Sequence, residues 1–392
     1  MERSNQKSTG KITIKKMKKL TKILSRLLIQ KTKIEYLYKK SSAKHLICEN
    51  YSRPTPETAE MNFWLDAQYL QQPEYRLPDI YSVTLENVIY SPRNNLLLSN
   101  FPCQIIADSL PTPYIPKNPT VLADIYLRKT AKISGICTVF VSYYQDFYHQ
   151  IIDNIPRLYL LQNEEYAKLE SIQIICPRLT PFYEFVLPKI IPENARIIMV
   201  EEHKNYRLEK LIFTSFLTKF NSGFLPKEYL SFFAQKVYPE RPRKKQNRIF
   251  ISRQKAANGK RNILNEEELF EILRKFGFQK YFLEEMTIRE QMDLFYDAEI
   301  VVGAHGAGLT NIIYSDKINV IEIFGTKFIW APNFYFLAKS MNHNYYYLCS
   351  DENLDYNDPN LWQIKLSTYH RFKDRDFMVN VSKVKELLSS IL

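Results

Sequence analysis

From Asn247 to Gly325 short apolar runs alternate with amphipathic stretches of helical period. Arg248-Ile249-Phe250-Ile251-Ser252 reads as a strand, and Leu269, Ile272, Leu273 and Phe276 then recur at helical spacing. Asn265-Glu266-Glu267-Glu268 ahead of them predicts an N-cap followed by glutamate at the third helical position, and Gly277 predicts the stop. Phe278 to Leu283 is a second strand. Thr287-Ile288-Arg289-Glu290 repeats the capping pattern before Met292, Leu294 and Phe295. Glu299 to Val302 reads as a buried strand, Gly308 to Tyr314 as a helix, and Asn319 to Phe324 as a strand running into Gly325. The order β-α-β-α-β-α-β predicts a parallel, doubly wound sheet, and hence an α/β fold.

Upstream the pattern is less regular. Ser171 to Cys176, Arg196 to Val200 and Leu211 to Ser215 are predicted strands of a first domain. Ile47 to Lys132 is broken by prolines such as Pro54, Pro56, Pro73, Pro78, Pro111, Pro113, Pro116 and Pro119, and reads as irregular structure with short strands packed on that domain. Tyr238-Pro239-Glu240-Arg241-Pro242-Arg243-Lys244-Lys245-Gln246-Asn247 predicts a charged linker, and Val379 to Leu392 a closing helix. The resulting division is a tail at 1–45, a first domain at 46–238, a linker at 239–247, a second domain at 248–375, and a helix at 376–392 that returns to the first domain.

The strand ending at Val302 empties into Gly303-Ala304-His305-Gly306-Ala307-Gly308-Leu309-Thr310-Asn311, which holds three of the nine glycines of the chain. Such clustering points to a tight turn whose amide groups approach a ligand closely, and the helix that follows offers free N–H groups and a positive dipole end to a phosphate. The spacing G-x-x-G-x-G is neither the P-loop, which needs Gly-Lys-Ser/Thr, nor the dinucleotide pattern G-x-G-x-x-G. Arg253 and Lys255 follow the strand that ends at Ser252, at the sheet edge where open α/β folds bind ligands. His305 sits inside the turn, and Glu322 ends the next strand, where a carboxylate can accept hydrogen bonds from ribose hydroxyls. In the first domain, His149, Asp153 and Arg157 are spaced by four and share one face of a helix. A carboxylate beside a histidine makes a general base, although Asp153 and Arg157 also fit an ordinary ion pair and Pro156 interrupts the helix.

These blocks together resemble the family-61 glycosyltransferases, a group that includes bacterial capsule and cell-surface polysaccharide enzymes. The resemblance rests on Tyr148-His149-Gln150-Ile151-Ile152-Asp153-Asn154-Ile155-Pro156-Arg157, Phe250-Ile251-Ser252-Arg253, Arg261 with Asn265-Glu266, Gly277-Phe278, Glu290-Gln291, Val301 to Asn311, and Val320-Ile321-Glu322. It implies a GT-B architecture of two facing Rossmann-like domains with parallel sheets. It also implies a nucleotide-sugar donor, expected to be UDP-linked and held mainly by the second domain, inversion at the anomeric carbon, and no bound metal. On this reading Asp153 or His149 is the catalytic base. Arg157, Arg253, Lys255, His305, Gly306, Ala307, Gly308, Thr310, Asn311 and Glu322 bind substrate, with Arg157 orienting or contacting phosphate.

Metal spacing gives little. Asp374-Arg375-Asp376 is the one plain Asp-x-Asp pair, in a polar stretch that reads as a solvated charge run, and Cys48, Cys103, Cys137, Cys176 and Cys349 are too scattered for a zinc site. Five scattered thiols fit a reducing cytosol. With 45% hydrophobic and 14% aromatic residues the chain has material for two cores.

The net charge of +12 looks like nucleic-acid binding until it is located. Residues 1–45 hold 14 Lys and Arg against Glu2 and Glu35, leaving 40 basic and 40 acidic residues elsewhere. Nucleic acid is therefore not an expected partner. In the tail, Met17, Leu20, Leu24, Leu27 and Leu28 alternate with Lys15, Lys16, Lys18, Lys19, Lys22 and Arg26, which predicts a basic amphipathic helix suited to an anionic membrane surface through residues 11–40. The combined expectation is a cytoplasmic enzyme, peripheral on the inner membrane, acting on a glycan or lipid-linked glycan acceptor. A non-catalytic nucleotide- or sugar-binding protein would keep Arg253 and His305 without needing His149 or Asp153. A dinucleotide-dependent oxidoreductase would share the sheet and Glu322 but not the glycine spacing, and a membrane scaffold would need only the tail.

Overall fold

The computed structural model describes residues 78–100, 103–111, 121, 126–218, 223–257, 259–325, 332–350 and 374–392, together with short strands at Lys31–Thr32, His45–Cys48, Ser52–Pro54 and Glu74–Arg76. The predicted basic helix and most of the tail lie outside the described residues. The rest forms two α/β units of Rossmann-like type, as the strand and helix pattern predicts.

The first sheet contains β1 (Ile80–Ser91), β2 (Leu96–Leu98), β3 (Ile105–Ile106), β4 (Thr130–Val139), β5 (Ile172–Cys176), β6 (Ala195–Met199) and β7 (Asn205–Thr214). They lie in the order β3-β2-β1-β7-β4-β5-β6, with Lys31–Thr32 added beside β3 and His45–Cys48 beside β1. Only half of this sheet matches the parallel expectation. The pairs β7-β4, β4-β5 and β5-β6 are parallel, whereas β1 runs antiparallel to β7 and to β2. All 12 residues of β1 and the first three of β4 fall in the stretch expected to be irregular with short strands, where prolines on either side obscure a long extended run.

The second sheet is wholly parallel, in the order β9-β8-β10-β11-β12. Its strands are β8 (Asn247–Ile251), β9 (Gln279–Tyr281), β10 (Ala298–Ala304), β11 (Asn319–Phe324) and β12 (Asn344–Cys349). The chain leaves β8 in one direction to form β9 and returns across it to form β10, so the switch point falls between the carboxyl ends of β8 and β10. The register aligns those ends. Ile251 pairs with Gly303, Gly303 with Glu322, and Glu322 with Tyr347. Every residue of β10 except Glu299 is buried, as expected for a central strand covered on both faces.

Helices α1 (Pro181–Ile190), α2 (Lys227–Val237), α3 (Glu266–Lys275), α4 (Ile288–Tyr296), α5 (Asn333–Ser340) and α6 (Val381–Ile391) cover the sheets. Thr287 and Glu290 form the predicted reciprocal cap of α4, and Gly277 follows α3 in the left-handed conformation (φ 81°). Asn265 does not cap α3 with its side chain. It exchanges two hydrogen bonds with the backbone of Val379 instead, at 2.9 Å each. That anchor directs α6 onto the second domain, where Val384 and Leu388 pack with Leu269, Leu273 and Phe250. The closing helix therefore does not return to the first domain, because its apolar stripe is already covered by α3.

The linker is fastened rather than loose. Arg243 donates to the carbonyls of Tyr296 (2.6 Å) and Tyr314 (2.7 Å), with its guanidinium 3.8 Å from the centre of the Tyr296 ring. Arg241 pairs with Asp297, whose carboxylate also accepts from the Lys244 amide; these contacts outweigh its desolvation and hold it below the ordinary range. One apolar cluster runs from Phe140, Tyr148 and Phe233 of the first domain into Ile251, Leu309 and Tyr314 of the second.

His343, just before β12, is buried and neutral. Its Nε2 donates to the Ile312 carbonyl at 3.0 Å, its Nδ1 faces the Ile318 amide at 3.4 Å, and burial holds its pKa down to about 4. Below the ordinary value of 6.5 the unfolded chain takes up a proton that the folded chain refuses. Stability should therefore fall on acidification from pH 6.5 toward about 4, by roughly 1.4 kcal/mol per pH unit from this group. Chemical denaturation across that range should show this slope in the native chain and not in a His343→Asn variant.

Candidate active site

The helical run from Phe147 to Gln162 supplies the first side of the site. It starts as an α turn at Phe147–His149, widens to a π turn over Gln150–Asn154 and tightens to 3₁₀ over Ile155–Gln162. Asp146 caps its start, accepting the His149 amide at 3.4 Å. His149 Nδ1 is hydrogen-bonded to Asp153 Oδ2, and Thr218 donates to Asp153 Oδ1 at 3.3 Å. Asp153 is 1% exposed, so both its oxygens are committed to the protein and only His149 retains some accessibility. Desolvation by itself would lower the His149 pKa. The hydrogen bond and charge of Asp153, joined by Asp146 with a carboxylate oxygen 3.6 Å from Nε2, outweigh it and raise the pKa. The ring is stacked on Tyr144 at 4.8 Å.

The second side lies at the carboxyl edge of β8, β10 and β11. Gly306 is extended (φ 173°), not left-handed, so its lack of a side chain is needed for space rather than for a turn. A Cβ there would lie 2.0 Å from Arg253 Nη1, and one at Gly308 would lie 2.9 Å from Leu283. The predicted turn thus admits a guanidinium from the same chain. Arg261 adds a second, with Nη1 donating to the His305 carbonyl at 3.0 Å from a left-handed backbone (φ 61°). Desolvation first, and repulsion by Arg261 second, hold the Arg253 pKa down to about 10. Burial lowers Arg261 as well, opposed by Asp374, Glu322 and, from the opposite domain, Asp146.

His305 Nδ1 meets Glu322 Oε1 at 2.5 Å, and the Tyr345 hydroxyl donates to Glu322 Oε2 at 2.5 Å. Glu322 is fully buried, with both oxygens engaged, which corrects the expectation that it faces ribose. The His305 ring packs on Phe324 (5.2 Å) and Phe334 (5.5 Å), and Phe334 also meets Tyr148, next to His149, at 5.6 Å. The two histidine–carboxylate pairs, one per domain, therefore flank a single aromatic contact at the domain junction.

Other predicted residues sit elsewhere. Arg157 is enclosed in the first domain at 1% exposure, donating to the carbonyls of Thr214 (2.8 Å) and Phe140 (3.1 Å) between Phe213 and Phe216. It cannot touch a phosphate there. Burial lowers its pKa to about 10, and Asp153 is the strongest charge acting against that. Thr310 and Asn311 are fully buried, Asn311 bridging Gln291 and the Gly308 carbonyl. Ala307 packs against the core at the start of the 3₁₀ helix Ala307–Tyr314. Lys255 is ion-paired with Glu285 at 2.6 Å, over the Phe282 ring. Asp374 pairs with Lys260 at 2.8 Å, and Asp376 accepts the Asn262 amide at 2.8 Å, so this Asp pair fastens the loop that carries Arg261. Among the described residues no group of three or more His, Cys, Asp or Glu is placed to hold a metal ion. No helix among them is long and apolar enough to cross a membrane.

Asp146, Thr218 and Tyr345 lie outside the predicted site, and Arg261 enters the sequence reading as part of the resemblance, without a place in the site. Asp146 had a local signal as a helix cap three residues before His149. The others become visible only when distant segments meet.

Comparison with known proteins bears on this arrangement. Residues 147–321 match the family model described as Glycosyltransferase 61. A stretch of 91 residues is 32% identical to a protein of Arabidopsis thaliana named beta-1,2-xylosyltransferase, taking in 20% of this chain and 17% of that one. This chain thus spans well under two thirds of that relative's length. His149, Asp153, Arg253, Arg261 and His305 fall inside the matched span, and Glu322 and Tyr345 lie beyond its end. Residues 147–321, with both histidines of the junction, belong to the glycosyltransferase 61 family.

Proposed function

We propose that the protein is an inverting glycosyltransferase of GT-B type that moves a hexosyl or pentosyl group from a nucleotide sugar to a glycan or lipid-linked glycan acceptor. The observation that carries this reading is the meeting of two different chemical halves at one junction. A histidine backed by a buried carboxylate lies across the Phe334 contact from the sheet edge where Arg253, Arg261 and His305 converge at the switch point. Family membership supplies the reaction class.

Glycosyl transfer must neutralise charge growing on a departing nucleoside diphosphate while a base takes the acceptor's proton. Two mutually repelling, partly desolvated guanidiniums are stabilised by an intervening diphosphate, and the amide end of the helix Ala307–Tyr314 adds donors. In this reading the chain's own cations take the place of a divalent metal. Asp153, sealed behind His149, cannot reach an acceptor. His149 is then the base, and Asp153 orients it and stabilises the imidazolium. The donor is proposed to be UDP-linked, the product a surface or capsular polysaccharide, and the tail at 1–45 a peripheral contact with the inner membrane in the cytoplasm.

A thermal-shift panel of UDP, GDP, CMP, dTDP and NAD tests the donor site; selective stabilisation by one nucleoside diphosphate is expected, and stabilisation by NAD alone would refute it. Gly306→Ala should displace Arg253 and weaken binding of that nucleotide about tenfold or more by calorimetry, the worth of one charge-assisted contact. His149→Ala should lower kcat about 100-fold or more. Activity should require neutral His149 and so be lost as pH falls through a value above 6.5. In Asp153→Asn that acid limb should move to lower pH, because the group that raises the His149 pKa is gone. Turnover unaffected by His149→Ala would favour a protein that binds nucleotide sugars without catalysis.

A further inference from the structure

Glu322, His305 and Tyr345 come from three segments, and the sheet register brings them together. Glu322 pairs with Tyr347 across β11 and β12, which makes Tyr345, two residues back on the same face, its diagonal neighbour. His305 directly follows β10, its amide donating to the Ile323 carbonyl at 2.9 Å, and the alternation of the strand puts it on the face shared by Gly303 and Glu322. A wholly buried carboxylate needs hydrogen-bond donors for both oxygens. Glu322 has two: the Tyr345 hydroxyl on Oε2 and the His305 ring on Oε1, each at 2.5 Å.

Tyr345 can fill this role only as a donor. Its burial, and the charge and hydrogen bond of Glu322, all favour the protonated phenol. With Oε2 satisfied in that way, Oε1 is left to a proton on His305 Nδ1. That choice leaves Nε2 as the nitrogen of His305 available for chemistry, whether it carries a proton or a lone pair. The ring cannot turn over, since Phe324 is stacked on it and Phe334 closes against it. Tyr335 packs edge-on against Tyr345 at 5.3 Å and holds the phenol in place.

We propose that Tyr345 and Glu322 are positioning residues that form a Tyr345–Glu322–His305 relay, fixing the His305 proton on Nδ1 and presenting Nε2 at the sheet edge that carries Arg253 and Arg261. What Nε2 meets there rests on the glycosyltransferase reading: it is the oxygen of the departing diphosphate, contacted by a hydrogen bond with no covalent step. The relay itself stands independently of that ligand.

The first test needs no ligand. A low-field imidazole proton, assigned to His305 by its loss in His305→Ala, should be present in the NMR spectrum of the native chain, vanish in Glu322→Gln and move in Tyr345→Phe. A Tyr345 that only filled space would leave the resonance where it is while lowering the melting temperature. The second test is a cycle of UDP affinities. Tyr345→Phe should weaken UDP binding fivefold or more in the native background and by less than twofold in His305→Ala, because it acts through His305. A resonance insensitive to Tyr345→Phe, or losses that add fully in the double variant, would overturn the relay. If the resonance behaves as stated while the native chain binds no UDP, the relay holds and the UDP assignment falls.

Discussion

A strand cannot slip by one residue without turning its whole set of side chains to the opposite face, and the second sheet converts this rigidity into chemistry. The pairs Ile251–Gly303, Gly303–Glu322 and Glu322–Tyr347 lock four parallel strands so that their carboxyl ends share one edge. Everything at that edge follows from the lock. Arg253 leaves β8 where Gly306 leaves β10, close enough that any side chain at 306 would collide with the guanidinium. Glu322 reaches His305 on one side and Tyr345 on the other. The apolar residues of β10 that bury the sheet on both faces are what hold the row against slippage.

Each domain buries one carboxylate behind one histidine, and the two settings differ. Asp153 accepts from a histidine and a threonine, with the enclosed guanidinium of Arg157 in electrostatic reach, while a second acid, Asp146, stands at the outer nitrogen of His149. Glu322 accepts from a histidine and a phenol, its charge acts on the guanidinium of Arg261, and Arg261 in turn lies beside Arg253. One histidine thus lies in an acidic neighbourhood and the other in a basic one. That polarity across the junction suits a reaction in which a proton leaves one partner while negative charge gathers on the other.

Much of this was legible in the chain because the signals were local. The capping box at Thr287 and Glu290, the helix stop at Gly277, the alternation of β8 to β11 with their helices, and the spacing of His149 and Asp153 all lie within a few residues of each other. What escaped depended on partners far apart in sequence. Asn265 looks like a helix cap until Val379 arrives 114 residues later. Glu322 looks like a ribose ligand until Tyr345 and His305 take both its oxygens, and Arg157 looks like a phosphate contact until two aromatic rings enclose it. The glycine cluster reads as room for a ligand. At Gly306 the room is filled by the chain's own Arg253.

The fastening of residues 239–247 bears on how tightly anything can be held at the junction. Rotation about that segment would break the Arg243 contacts with the carbonyls of Tyr296 and Tyr314, uncover the Tyr296 ring and divide an apolar cluster that belongs to both domains. Loss of conformational freedom ordinarily subtracts from the affinity of a site built between two bodies. Here that ordering is completed when the chain folds, so an incoming ligand meets a braced frame and little of its interaction energy is diverted into aligning the walls.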